Sequence, residues 1–332
     1  MKIAINGFGR IGRSILRLAL RSDDVEVTLI NDVAPLETCG YLFEYDSIFG
    51  PWQGQVTTGN DRLTINGREI PFHRQRDLAA LDLSGVDVFL ECTGQPDPVG
   101  RAQCGLRRGA QRALISGSAT NADVTLVLGA NEGRYRGESI VSNASCTTNA
   151  LAPILRILDK EFGVISGQMT TVHCYTGSQP TVDQPREDLV RSRAAALSMV
   201  PTTTSAHRLL GDVLPNLAGR IEARALRVPT ASVSAIDLTV EVQHRTDVDS
   251  ARRIIKAAVE TCPVLAWIDK PLVSVDLRGR PESLIVSGPE LSITASGGLL
   301  RIFGWYDNEW GFASRMLDMA RLLSRHELEE WS

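Results

Sequence analysis

Two residues with the chemistry for covalent catalysis stand in polar stretches at the edges of apolar segments. Cys146 lies in Ser142-Asn143-Ala144-Ser145-Cys146-Thr147-Thr148-Asn149, between a strand-like run and a helix-like one. A cysteine at a helix N-terminus has its thiolate stabilised by the helix dipole. His173 ends the run Thr171-Val172-His173, followed by Cys174-Tyr175-Thr176-Gly177. An imidazole beside a thiol takes its proton and makes a nucleophile near neutral pH. Taken alone, Cys146 also reads as a small buried core residue, and spacing along the chain does not establish that thiol and imidazole meet.

A second motif points to a dinucleotide. Gly7-Phe8-Gly9-Arg10-Ile11-Gly12 follows a short apolar strand, Lys2–Asn6, and opens a helix-like run, Ile11–Arg21. Gly7 permits the tight turn, Gly9 lets a pyrophosphate approach the backbone, and Gly12 lets helix and strand pack closely. The helix N-terminus offers free amides and partial positive charge to the phosphates. Asp32, at the end of the next strand candidate, would accept hydrogen bonds from a ribose and repel a 2′-phosphate, which favours NAD over NADP.

The elements that must position these groups fall into two styles. Up to Cys146 the chain alternates in a βαβ manner, with strand candidates at Val25–Ile30, Val86–Glu91, Ala113–Ser116, Thr125–Leu128 and Ser139–Val141. These runs are short, apolar and rich in β-branched residues, as buried parallel strands should be. Beyond Cys146, Asn149–Phe162 reads as a helix with Pro153 in its first turn. Gln168–Val172 is a strand, Val228–His244 an antiparallel strand, and Ala251–Thr261 a helix. Leu272–Leu277, Ser283–Val286 and Leu299–Trp305 read as further strands, and Ala313–Ser324 as an amphipathic closing helix. The segment 177–201 is too long and polar for an idle connector. The expected fold is α/β: a Rossmann dinucleotide-binding domain, residues 1–145 with 309–332, and an α+β catalytic domain on a mixed sheet, residues 146–308.

Composition narrows the classes. With 35 basic against 39 acidic residues the formal net charge is −4, so no bulk attraction to nucleic acid or an anionic membrane is expected. Any phosphate must be captured locally. No run of about 20 apolar residues and no signal-peptide pattern is seen, so a cytoplasmic protein is expected. The six cysteines form no CxxC and read as reduced thiols. The five histidines form no ligand-spaced pair, so no metal site is expected. His73, His244 and His326 read as surface residues, while His207 flanks a Thr-rich loop.

From end to end the chain resembles the phosphorylating glyceraldehyde-3-phosphate dehydrogenase family. The matching blocks are INGFGRIGR (5–13), Asn31-Asp32, SNASCTTN (142–149), TVHCYTG (171–177), RAAAL (193–197), VPTTT (200–204), RVPT (227–230) and YDNEWG (306–311). The resemblance implies a homotetramer that uses NAD, a sugar phosphate and inorganic phosphate. It makes Cys146 the nucleophile and His173 its base. It gives Thr176 and Arg227 the substrate phosphate, and Ser145, Thr147, Thr204 and Arg191 the attacking phosphate. Asn308 would face the nicotinamide amide, and Asn6, Arg10, Ile11 and Asp32 the rest of the cofactor.

Some positions depart from that pattern. Ala150 stands where a second cysteine is usual, and Ser205 replaces a glycine whose amide helps bind phosphate, which could alter the backbone there. Ser178 stands where an acid is common, and Gln184-Pro185 replaces a Leu-Pro pair. Phe312 stands where many members have Tyr, and EWGFASRMLD (309–318) is similar to erythrose-4-phosphate dehydrogenase, the nearest alternative. A catalytically silent NAD- or RNA-binding module is the alternative from another class; it would need only the glycine turn and Asp32. Cys174 reads as core, because alternation along a strand points it away from His173.

Overall fold

A computed structural model describes residues 1–325, which leaves His326 outside the described residues. The chain divides into two compact units. The first holds residues 1–126, 134–144 and the segment from Ala313 onward, and the second holds 127–133 and 145–312. Against the division expected from the sequence, 127–133, Ser145 and 309–312 fall in the second unit.

The first unit is built on a nine-stranded sheet. Its elements are β1 (Lys2–Asn6), α1 (Arg10–Ala19), β2 (Glu26–Asn31), α2 (Leu36–Glu44), β3 (Val56–Gly59), β4 (Arg62–Ile65), β5 (Arg68–His73), β6 (Val88–Glu91), α3 (Pro98–Arg107), β7 (Arg112–Ile115), β8 (Val124–Thr125) and β9 (Ile140–Ser142). The order is β3-β4-β5-β2-β1-β6-β7-β9-β8, with every pair from β5 to β8 parallel. The order reverses between β2-β1 and β1-β6, the switch point at which open α/β sheets bind ligands. β1 and β6 are almost wholly buried, hence their unbroken apolar runs. The β3–β5 meander was not read from the sequence; exposed threonines and arginines hide its alternation.

The second unit carries an eight-stranded mixed sheet. It consists of α4 (Cys146–Phe162), β10 (Val164–Cys174), β11 (Val200–Thr203), α5 (Ala206–Val213), β12 (Ile221–Val228), β13 (Ser234–Val242), α6 (Val248–Glu260), β14 (Leu265–Ile268), β15 (Leu284–Ser287), β16 (Ser292–Ile293) and β17 (Leu299–Tyr306). The order is β11-β12-β10-β13-β17-β15-β14, with β16 paired to β17. The closing helix, α7, spans Trp310–Ser324.

Three local expectations are corrected. α4 begins at Cys146, not Asn149, so Pro153 sits inside the helix, where it donates no bond to the preceding turn. Residues 228–244 are not one strand: Thr230 donates back to the carbonyl of Val228 at 2.7 Å, breaking the ladder before β13 starts at Ser234. Leu272–Leu277 is not a strand, because Ser274–Leu277 forms a 3-10 turn, with the Asp276 carboxylate accepting from the Val273 amide. Short apolar runs do not distinguish the two states.

Candidate active site

The cysteine and the histidine meet. α4 starts at Cys146 because Ser145 caps it, its hydroxyl oxygen accepting from the Thr148 amide at 3.1 Å. β10 then runs back beside the helix and ends on His173 and Cys174. Cys146 Sγ lies 3.7 Å from His173 Nε2. His173 Nδ1 lies 2.7 Å from the carbonyl oxygen of Cys174. With the proton on Nδ1, donated to that carbonyl, the Nε2 lone pair is left for the sulfur.

Arg227 completes this group. It is the register partner of His173 across the parallel β10–β12 pair, and Val200 of β11 faces it from the other side. Its Nη1 stands 2.5 Å from His173 Nδ1 and donates to the same Cys174 carbonyl at 3.0 Å. Burial first, and then this guanidinium, hold the imidazole down at about 3. Burial also pushes the Cys146 thiol up, against the opposing pull of Arg227 and of the Thr147 hydroxyl and amide. Burial thus disfavours the charged form of each group taken alone.

Tyr306 is the member of this group that the sequence reading did not single out. Its buried hydroxyl lies 3.0 Å from Thr147 Oγ1 and 2.7 Å from Thr171 Oγ1, and its ring meets His173 edge-on at 6.0 Å. The signal was available. β17 alternates, with Leu300, Ile302, Gly304 and Tyr306 facing inward, and an inward tyrosine needs a partner for its hydroxyl.

The remaining candidates form separate groups. Thr176 Oγ1 lies 2.8 Å from Ser178 Oγ. Arg191 donates to Thr202 Oγ1 from Nε at 2.8 Å and pairs with Asp188 at 3.3 Å. Thr204 Oγ1 accepts from the Ala206 amide at 3.2 Å, so its proton stays available to an anion. Ser205 adopts φ −66° and ψ −15°, an ordinary helical conformation, so replacing glycine there imposes no strain. Among the described residues no hydrogen bond joins Arg191, Thr176 or Thr204 to Cys146. Asn308 is buried, its Oδ1 accepting from Cys174 Sγ at 3.0 Å and from Ser234 Oγ at 3.3 Å.

In the first unit the glycine turn suits a dinucleotide. Gly7 has φ +96°, and a Cβ there would meet the backbone of Cys92 and Thr93 at 2.6 Å. A Cβ on Gly9 would meet nothing within 4 Å, leaving open space above the amides of α1, whose first residues are Arg10, Ile11 and Gly12. The Asp32 carboxylate accepts from the amides of Phe8 at 2.6 Å and Ala34 at 2.9 Å, which fixes it beside the turn. Asn6 donates to Glu91 at 2.5 Å and accepts from Asn31 at 2.8 Å. Arg10 is paired with Asp46. Neither Glu91 nor Asp46 was picked out from the sequence; each matters only through the strand end or helix face it meets.

Among the described residues no helix is long and apolar enough to cross a membrane, and no group of three His, Cys, Asp or Glu side chains is set to hold a metal. All six cysteines are free.

A dinucleotide turn in one unit and a thiol beside an imidazole in the other fit one class, an NAD-dependent oxidoreductase. Comparison with known proteins gives the family. The model for the NAD binding domain of glyceraldehyde 3-phosphate dehydrogenase matches residues 1–97, and that for its C-terminal domain matches 145–308. The chain is 43% identical over 327 residues to glyceraldehyde-3-phosphate dehydrogenase of Xanthobacter flavus, covering 96% of this chain and 97% of that protein. It is 39% identical to the Geobacillus stearothermophilus protein of that name, over 98% of each chain. For the Cereibacter sphaeroides protein the identity is 42%, over 98% and 99%. The chain belongs to the glyceraldehyde-3-phosphate dehydrogenase family, and its cofactor is NAD.

Proposed function

We propose that this enzyme oxidises glyceraldehyde 3-phosphate to 1,3-bisphosphoglycerate, using inorganic phosphate and a thioester on Cys146. The observation that carries the reading is the 3.7 Å approach of Cys146 Sγ to His173 Nε2, with Nδ1 held against a carbonyl. The thiol proton passes to Nε2 as sulfur attacks the aldehyde carbon, giving a tetrahedral hemithioacetal. The Cys146 amide at the start of α4 faces the developing oxyanion. Nε2 hands that proton to the alkoxide, giving the hemithioacetal hydroxyl, and takes it back as hydride leaves. NAD, when bound, supplies the hydride acceptor that converts the hemithioacetal to a thioester. Inorganic phosphate attacks the thioester carbonyl and the thiolate leaves, so the oxidation energy is kept as an acyl phosphate.

Thr176 and Arg227 are assigned the substrate phosphate. Ser145, Thr147, Arg191, Thr204 and Ser205 are assigned the attacking one, since hydroxyls and arginines hold phosphate by charge-assisted bonds. Asn308 is assigned the nicotinamide. Asn6, Gly7, Gly9, Arg10, Ile11, Gly12 and Asp32 are assigned the rest of the dinucleotide. We read the protein as a cytoplasmic homotetramer. The largely exposed Val182, Leu189, Leu197 and Met199 of the long loop support assembly.

The test is NADH production with each aldehyde, with and without phosphate. Glyceraldehyde 3-phosphate should turn over only with phosphate present. Phosphate-independent oxidation preferring erythrose 4-phosphate would select the competing substrate that the EWGFASRMLD segment suggests. Cys146→Ser should lose more than about a thousandfold in kcat while still binding NAD. Unchanged turnover would remove the covalent route, and a silent NAD- or RNA-binding module would turn over neither aldehyde.

A further inference from the structure

Asn308 is held in one orientation by two neighbours, Ser234 and Cys174. The Ser234 hydroxyl oxygen accepts the Cys174 amide proton at 3.2 Å, so its own proton is directed onward, to Asn308 Oδ1 at 3.3 Å. Cys174 Sγ donates to the same oxygen at 3.0 Å. Both donors fall on the carbonyl end of the side-chain amide. Its nitrogen makes no hydrogen bond among the described residues, yet it is not sealed in. Burial pushes the Cys174 thiol up to about 12, so the S–H persists as a donor throughout the physiological range.

We propose that Cys174 and Ser234 are positioning residues that fix the Asn308 amide with its nitrogen outward, so that this chain grips a nicotinamide by its carboxamide oxygen. The inference rests on the reading that Asn308 faces the nicotinamide. An amide has a donor end and an acceptor end of nearly equal size, and only its partners decide which one a ligand meets. With the acceptor end taken twice, what remains is a pair of N–H donors. The ligand's carbonyl is then the group recognised, and its own NH2 goes unread by Asn308. Cys174 therefore does more than fill the core.

Dissociation constants measured on the full protein for NAD, for ADP-ribose, which lacks the nicotinamide, and for the 3-acetylpyridine analogue of NAD test this. The analogue keeps the carbonyl and lacks the NH2, so the native protein should bind it within about twofold of NAD. The Cys174→Ala, Ser234→Ala double variant should lose about fivefold to tenfold in NAD affinity with ADP-ribose unchanged. Cys174→Ser, which keeps a donor, should behave as native. The proposal is overturned if NAD and ADP-ribose weaken together, if neither weakens, or if the native protein rejects the analogue by tenfold or more. An Asn308→Ala variant separates the two levels: unless it weakens NAD selectively, the assignment of Asn308 itself fails, and the proposal with it.

Discussion

Tyr306 and Thr147, 159 residues apart in sequence, share a hydrogen bond of 3.0 Å in the interior of the second unit. The same phenol reaches Thr171 at 2.7 Å, two residues before His173 on β10. One hydroxyl thus ties the start of the helix that carries Cys146 to the strand that carries His173. Burial holds that phenol far above its ordinary value, so it stays a neutral donor.

Replacing Tyr306 by Phe strips a partner from two buried hydroxyls. A stability loss of about 1–3 kcal/mol is expected, measured by urea unfolding. Alkylation of Cys146 by iodoacetamide at pH 7 should slow as well, because the Thr147 hydroxyl that favours the thiolate loses its anchor. Native alkylation kinetics in the variant would leave Tyr306 with a purely structural part.

Acid should find His173 out. Its folded value, about 3, lies below the ordinary 6.5, so between those pH values the unfolded chain binds a proton that the folded chain refuses. This group's contribution is present above pH 6.5 and is lost as pH falls toward 3. Across that window the native protein should lose stability more steeply than a His173→Asn variant, as read by urea unfolding. Arg227→Leu should shift the His173 ring titration, followed by NMR, upward. A titration that stayed put would deny the guanidinium its share of the effect.

Two glycines of one motif should fail in different ways. A methyl on Gly12 would stand 2.1 Å from the Gly7 carbonyl oxygen, so Gly12→Ala should destabilise by about 3 kcal/mol or more. A methyl on Gly9 meets only open space and Gly9 has negative φ, so Gly9→Ala should melt within about 2 °C of native. Its NAD affinity should nevertheless fall at least tenfold, since the methyl occupies the room a pyrophosphate needs. Calorimetry for both variants, in melting and in NAD titration, separates folding from binding.

The phosphate loop gives a contrast between neighbours. Arg191→Ala should raise the KM for inorganic phosphate by about tenfold or more, as loss of a charge-assisted contact does. Ser205→Gly should leave it within about twofold, because Ser205 already has a backbone conformation open to any residue. A large gain in phosphate affinity on restoring the glycine would show that the serine side chain obstructs the anion.

Much of this was legible in the chain itself. Gly7, Gly9, Gly12 and Asp32 define a turn whose physics is local, and the buried runs of β1 and β6 admit no other role. The Cys146–His173 meeting was an expectation because it depends on how α4 and β10 fold back on each other, which no spacing rule encodes. Glu91, Asp46 and Ser234 acquire meaning only from partners distant in the sequence, whereas the alternation of β17 marked Tyr306 as an inward phenol in need of one. Ser274–Leu277 was misread because a short apolar run leaves strand and turn indistinguishable, and capping by Asp276 decides the matter.

The helix carrying the thiol and the strand carrying the imidazole are joined by Gly163 alone, at φ +68°. Strand side chains alternate, so one residue inserted or lost between Val164 and His173 would turn the imidazole to the far face and bring a neighbour round in its stead. On one side that neighbour is Cys174, and the Cys146 sulfur would then confront another thiol where the imidazole had been. The length of this short excursion is therefore as much a determinant of the chemistry as the residues at its two ends.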